Sequence, residues 1–216
     1  MHVIYGGTFD PIHHGHLRLA LEVMDALSVR RLDLVPCHIP PHRGATGASS
    51  EQRLELIRLA IEGEPGLGVD DRELRREGAS YTADTLRQLR AELGADEPLV
   101  MVVGTDAFAA VDRWREWQAI PDLAHILVVN RPGAPLPPGS EVARLIQARQ
   151  VDSPEAFSQR PAGRIHVLDA PLLDISATGI RARIQAGRSP RYLTPDRVWA
   201  RIRALGLYGA CPDAGF

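Results

Sequence analysis

The stretch GGTFDPIHHGH, residues 6–16, gathers residue types that handle phosphate. Gly6 and Gly7 let a backbone come close to a ligand with no Cβ in the way. Thr8 offers a hydroxyl, and Asp10-Pro11 is a turn dipeptide that leads toward a helix. His13 and His16 are three residues apart, so on a helix they share a side, with Gly15 leaving room between them. A helix start that carries amide N–H groups beside imidazoles suits anionic oxygens. The pattern is neither GxGxxG nor a Walker sequence. Two other readings compete: polar residues that merely open a helix, and a zinc site. The zinc reading is thin, because His-x-x-His comes without cysteines or a carboxylate triad. All 25 basic residues are arginine, which removes a P-loop lysine, Schiff-base chemistry and a lysyl-nucleotide intermediate. Any phosphate is then held by arginine, histidine, hydroxyls and backbone N–H groups.

The elements that must position these groups follow from hydrophobic periodicity. Strands are expected at His2–Tyr5, Leu32–Val35, Pro98–Val103, His125–Val129 and Arg164–Leu168, with a weaker one at Val69–Leu74. Leu17, Ala20, Leu21, Met24 and Leu27 recur at helical spacing. Further helices are expected at Glu51–Ile61, Thr82–Leu93, Thr178–Ala186 and Pro195–Leu205. This alternation predicts an α/β fold of Rossmann-like type: an open, mainly parallel, twisted sheet with helices on both faces. Ligands in such folds bind beyond the carboxyl ends of the strands, where strand order reverses. GGTFDPIHHGH, PCHIPPHR, GTDAFAAVDRWREW and NRPG all follow expected strand ends.

The 216 residues suit a single domain, 1–216, with an excursion on the sheet edge at 131–163 and a disordered tail at 209–216. A formal charge of −2 gives no long-range pull toward nucleic acid, so none is expected as partner. No apolar run has membrane-spanning length and no export signal is evident, so no membrane contact and a cytoplasmic location are expected. Cys37 and Cys211 cannot form a disulfide framework, in keeping with a reducing compartment. Monomer and homodimer both stay open.

GGTFDPIHHGH resembles the GTFDP-x-H-x-G-H signature of nucleotidyltransferases, which join a nucleotide's α-phosphate to a phosphomonoester. ISATGIR, residues 175–181, resembles their second signature, Ile-Ser-x-Thr-x-x-Arg. PPHR at 40–43, SYTADTL at 80–86, VGTDA at 103–107, Trp114, Trp117 and NRPG at 130–133 are similar to the bacterial nicotinate mononucleotide adenylyltransferases. The likeness runs from about residue 3 to residue 208. It implies adenylyl transfer from ATP to nicotinate mononucleotide, giving nicotinic acid adenine dinucleotide and pyrophosphate, with Mg2+ accompanying ATP.

The resemblance also implies roles. His16 would contact the α-phosphoryl group with His13 beside it, while His14 holds a variable position. Gly6, Gly7, Thr8, Phe9, Gly104, Asp106, Ile175, Ser176, Thr178 and Arg181 would line the ATP site. Asp106 would accept from ribose hydroxyls, and capping of the next helix by Asp106 is compatible with that. His42 and Arg43 would close over pyrophosphate. Tyr81, Thr82, Thr85, Trp114 and Arg131 would hold the mononucleotide, Trp114 as a stacking platform and Trp117 as core. Cys37-His38 and Arg115 depart from the family pattern on that side. Other readings are a different acceptor such as phosphopantetheine, a non-catalytic nucleotide sensor, and a metal-dependent phosphohydrolase.

Overall fold

In a computed structural model, residues 1–39, 46–130 and 140–211 are described. Six strands form one sheet in the order β3-β2-β1-β4-β5-β6, and every pair is parallel. They are β1 (His2–Gly7), β2 (Leu32–Pro36), β3 (Leu67–Val69), β4 (Leu99–Gly104), β5 (His125–Asn130) and β6 (Ile165–Asp169). Strand order reverses between β1 and β4, which places the ligand crevice at their carboxyl ends.

Parallel strands covered on both faces read as nearly continuous apolar runs, as LVMVV of β4 and ILVV of β5 do. Their side chains sort by twos. Tyr5, Leu34, Val102 and Val129 join one core with α1 (His14–Leu27), α2 (Ser50–Ala60), α7 (Ala177–Gln185) and α8 (Asp196–Ala204). Ile4, Val35, Met101 and Val128 join the other, with α3 (Thr82–Leu93), the short α4 (Thr105–Phe108) and α5 (Ile120–Leu123), and α6 (Glu141–Arg149). The chain therefore returns from β6 at one edge to lay α7 on the same face as α1. That return brings the second polar segment to the first.

Several expectations change. Gly6 and Gly7 belong to β1, registered against Val35 and Pro36, instead of following the strand. The strand expected at Val69–Leu74 is Leu67–Val69, and a 3-10 helix at Arg72–Arg75 takes its place. Asp70 ends the strand by accepting the Arg72 N–H at 3.0 Å, an Asx turn that competes with ladder pairing. Within 131–163 the described residues form the crossover to β6, and Val142, Ile146 and Phe157 are core. Within the tail expected at 209–216, Gly209 ends a 3-10 turn and Ala210 is buried; residues 212–216 lie outside the described residues. No described helix is long and apolar enough to cross a membrane.

Candidate active site

Beyond Gly7 the chain turns sharply over its own core. A Cβ on Gly7 would stand 2.8 Å from the Phe9 ring, so the turn requires glycine there. Phe9 has φ of +50°, a region that costs a side-chain-bearing residue about 1–2 kcal/mol. Its ring is 2% exposed and meets Tyr5 and His16 edge-on, with centroids 5.6 and 5.0 Å apart. Phe9 can therefore serve a ligand only through its backbone, so a place in the ATP site would be a main-chain contact.

His13 caps α1 with extended backbone (φ −152°), and its buried ring stacks on that of His16 at 3.7 Å and 25°. Gly15 makes this stack possible, because a Cβ there would lie 3.0 Å from the His13 ring. The two histidines share a side, as their spacing predicts. The helix start is less open than expected, however: the His14 N–H donates to the Leu193 carbonyl at 3.0 Å. His14 itself is half-buried beside the stack.

Asp10 is buried and is the junction of the site. One carboxylate oxygen accepts from the Tyr208 hydroxyl at 2.7 Å, the other from the Gly47 N–H at 2.8 Å. Its carbonyl accepts from Arg181 at 2.7 Å, and the same guanidinium lies 3.7 Å from the carboxylate. A second nitrogen of Arg181 reaches the Thr178 hydroxyl at 3.3 Å. Burial first, and then the Asp10 charge, push the Tyr208 hydroxyl well above the ordinary tyrosine range, so it remains a donor. Gly47 packs flat on Tyr208, where a Cβ would come within 2.7 Å of the ring. Nothing in the sequence marks Tyr208 or Gly47; they are found only because the last residues fold back under the amino-terminal turn.

The second segment meets the first along this junction. Ile175, half-buried, turns its carbonyl toward Gly15, 3.3 Å from where a Cβ would be. Ser176 is exposed, and its hydroxyl accepts the Gly179 N–H at 3.1 Å, capping α7. Such a cap is worth about 1 kcal/mol. The Ser176 hydroxyl thus already has a structural partner, while Thr178 at the same helix start is exposed.

At the end of β4, Gly104 caps α4 and Asp106 is exposed in its first turn. The expected capping by Asp106 is thereby corrected. The Thr105 hydroxyl donates to the Val129 carbonyl at 3.1 Å, tying this turn to β5.

On the other side of the crevice, Tyr81 caps α3 and Thr82 opens it, both half-buried. Thr85 does not join them at the surface. It is 2% exposed, and its hydroxyl donates to Glu73 at 2.5 Å and accepts from Arg76. Its expected contact with nicotinate is corrected, because Glu73 and Arg76 pack over it and take its hydroxyl. Burial raises the Glu73 carboxyl above its usual range despite the hydroxyls of Thr85 and Ser80. Ser80 in turn accepts the His38 N–H at 2.8 Å, so the Cys37-His38 departure is built into this wall. Burial also raises the Cys37 thiol, leaving it a poor nucleophile. Arg115 lies over the Tyr81 ring at 4.7 Å, in a cation–π contact. Trp114 and Trp117 are both half-buried against the second core, so Trp117 is less enclosed than expected. His42, Arg43 and Arg131 lie outside the described residues.

Residues 4–183 match the cytidylyltransferase-like family. A relative from Marinobacter nauticus, named "Probable nicotinate-nucleotide adenylyltransferase", is 72% identical over 215 residues, 100% of each chain. A relative of the same name from Cellvibrio japonicus is 49% identical over 205 residues, 95% of this chain and 97% of its own. Among solved structures, Plasmodium falciparum nicotinic acid mononucleotide adenylyltransferase complexed with NaAD superposes with a TM-score of 0.73 over 98% of each chain, at 16% identity. The same enzyme complexed with APC gives 0.70. At that identity the likeness speaks for the fold alone. With an all-parallel sheet, a stacked histidine pair at its crevice and an arginine joining both signature segments, the chain belongs to the cytidylyltransferase-like family, beside the nicotinate-nucleotide adenylyltransferases it matches from end to end.

Proposed function

We propose that the chain transfers the adenylyl group of ATP to nicotinate mononucleotide, releasing pyrophosphate, as a step of NAD biosynthesis in the cytoplasm. The observation that carries the reading is the direct bond from Arg181 to the Asp10 carbonyl, which holds the two signature segments on one crevice. A phosphate oxygen of the mononucleotide attacks the α-phosphorus in line. The new O–P bond forms as the bond to the β-phosphate oxygen breaks, and its electrons leave with pyrophosphate. The attacking oxygen is already anionic near neutral pH, so no base is needed. Catalysis is then positioning together with stabilisation of charge on the phosphoryl oxygens.

In this reading His16, held by His13 and by the Phe9 ring, donates to the α-phosphoryl oxygens. The Gly6–Thr8 backbone and the exposed start of α7 with Thr178 and Arg181 receive the remaining phosphates, and Gly104 with Asp106 faces the ribose. Tyr81, Thr82 and Trp114 form the wall for the pyridine ring; His42, Arg43 and Arg131 keep the roles that the family likeness implies. Mg2+ neutralises phosphate charge when bound. It would be held chiefly by phosphate oxygens and water, the donor set it prefers. The test is pyrophosphate release with ATP, Mg2+ and a panel of phosphomonoesters that includes nicotinate mononucleotide, nicotinamide mononucleotide and phosphopantetheine. Turnover led by nicotinate mononucleotide is expected; release with another acceptor alone, or none, overturns the reading.

A further inference from the structure

Arg53 is the one arginine that the family signatures pass over and the fold encloses completely. It sits in the first turn of α2 with 0% exposure. One terminal nitrogen donates to the Thr8 carbonyl at 2.7 Å; the other donates to the His38 carbonyl at 2.9 Å and to the Ser50 hydroxyl at 3.3 Å. Thr8 follows β1 and His38 follows β2, so one side chain holds both strand-end loops from below. Among the described residues it forms no ion pair with a carboxylate, and its Nε has no hydrogen-bond partner. A guanidinium stays charged in proteins, and a buried charge without a counter-charge is expensive. A fold that keeps one at this place is poised for an anion.

The Thr8 bond has a second consequence. A trans peptide unit is planar, with its C=O and N–H on opposite sides. Arg53 draws the Thr8 oxygen inward, toward α2. The Phe9 N–H of the same unit therefore faces the other way, toward the crevice. The positive φ of Phe9 belongs to the backbone shapes that make anion-binding concavities.

We propose that Arg53 is a positioning residue for the polyphosphate: its guanidinium holds the Thr8 carbonyl inward so that the Phe9 N–H faces the bound anion, and it places a buried positive charge beneath the turn. It touches neither substrate. The inference rests on the adenylyl-transfer reading for the identity of the anion, and its test is chosen to be separable from that reading.

Binding of inorganic pyrophosphate to the full chain is measured by calorimetry, with neither substrate present, for wild type, Arg53→Met, Arg53→Gln and Arg53→Lys. Arg53→Gln serves if Arg53→Met does not fold, since its amide still reaches one carbonyl. A cooperative melt certifies each variant. A folded neutral variant should bind pyrophosphate at least roughly tenfold more weakly, the scale for losing one charge-assisted contact, and Arg53→Lys should recover part of that loss. In turnover assays kcat should fall by a similar factor while KM for nicotinate mononucleotide stays within about twofold, the pattern of an interaction spent on the reacting phosphates. Pyrophosphate binding within twofold of wild type in a folded neutral variant overturns the proposal. So does a loss shared equally by both KM values, the mark of a merely loosened fold. If wild type turns over no nicotinate mononucleotide yet the binding series separates as expected, the substrate assignment falls and Arg53 keeps its role.

Discussion

The two walls of the crevice are built from different materials. The wall assigned above to ATP, from the turn after β1 to the start of α7, is joined by short bonds that converge on the buried Asp10: from the Tyr208 hydroxyl, from the Gly47 N–H and, to its carbonyl, from Arg181. The mononucleotide wall, around the start of α3 and the tryptophan segment, is joined at its outer rim by exposed charges. Arg87 pairs with Asp84 and Glu116, and Arg115 lies near Asp84 at 3.7 Å and over Tyr81. Exposed pairs of this kind contribute about 0–1 kcal/mol, whereas removing one partner of a buried bond strands the other. The nucleotide wall is thus constrained by the fold. The outer rim of the other wall is held loosely, and Arg115 lies there, whereas Cys37-His38 is tied in by Ser80 and Arg53.

Substitutions should fall unequally on the two walls. Asp10→Ala leaves the Tyr208 hydroxyl and the Gly47 N–H short of an acceptor and takes the counter-charge from beside Arg181, whose bond to the main-chain carbonyl remains, and should lower unfolding free energy by about 3 kcal/mol with turnover nearly lost. Urea unfolding beside a turnover assay checks it, and a variant as stable as wild type would show that Asp10 is not the junction. His16→Ala should reduce kcat by roughly 10²-fold or more, the cost of one preorganised donor, while the mononucleotide still binds. An unchanged kcat removes His16 from the reaction.

On the other wall, Trp114→Ala should raise KM for nicotinate mononucleotide by roughly tenfold with little change in KM for ATP. A change confined to ATP would put the ring on the ATP wall. The smallest effect lies away from both. His125 is buried at the start of β5, stacked on Phe157 at 4.5 Å. Its Nδ1 accepts the Arg164 N–H at 3.0 Å, which leaves Nε2 to donate to the Arg160 carbonyl at 2.9 Å. Only the neutral ring can do both, and burial holds its pKa below the ordinary 6.5. The folded state therefore binds this proton less readily than the unfolded chain. Its stabilising share is whole above pH 6.5 and is lost as pH falls from there to the depressed value. Between pH 7 and pH 5 wild type should lose more stability than His125→Gln in urea melts. Equal losses would show that another group, such as the partly buried His2, governs acid stability.

The difference between the walls also explains what could be read in advance. Strands β4 and β5, covered on both faces, announce themselves as apolar runs, and His13 and His16 stack because three residues on a helix bring two side chains together. These are short-range rules. Thr85 shows their limit. One helical turn past Tyr81 it looked like a surface hydroxyl, and it is interior only because Glu73 and Arg76 arrive from a turn that the sequence suggested was a strand.

By itself the sequence determined the alternation of strands and helices, the parallel sheet, the absence of lysine chemistry and the histidine pair, all of which follow from residue type and local spacing. Tertiary structure alone decided that α7 returns to the face of α1, that Asp10 receives a tyrosine near the chain's end, and that Arg53 lies buried beneath the turn. Those contacts join residues 171, 198 and 45 positions apart. No local pattern encodes such pairs, because their bonds exist only after burial of the two cores has brought the segments together.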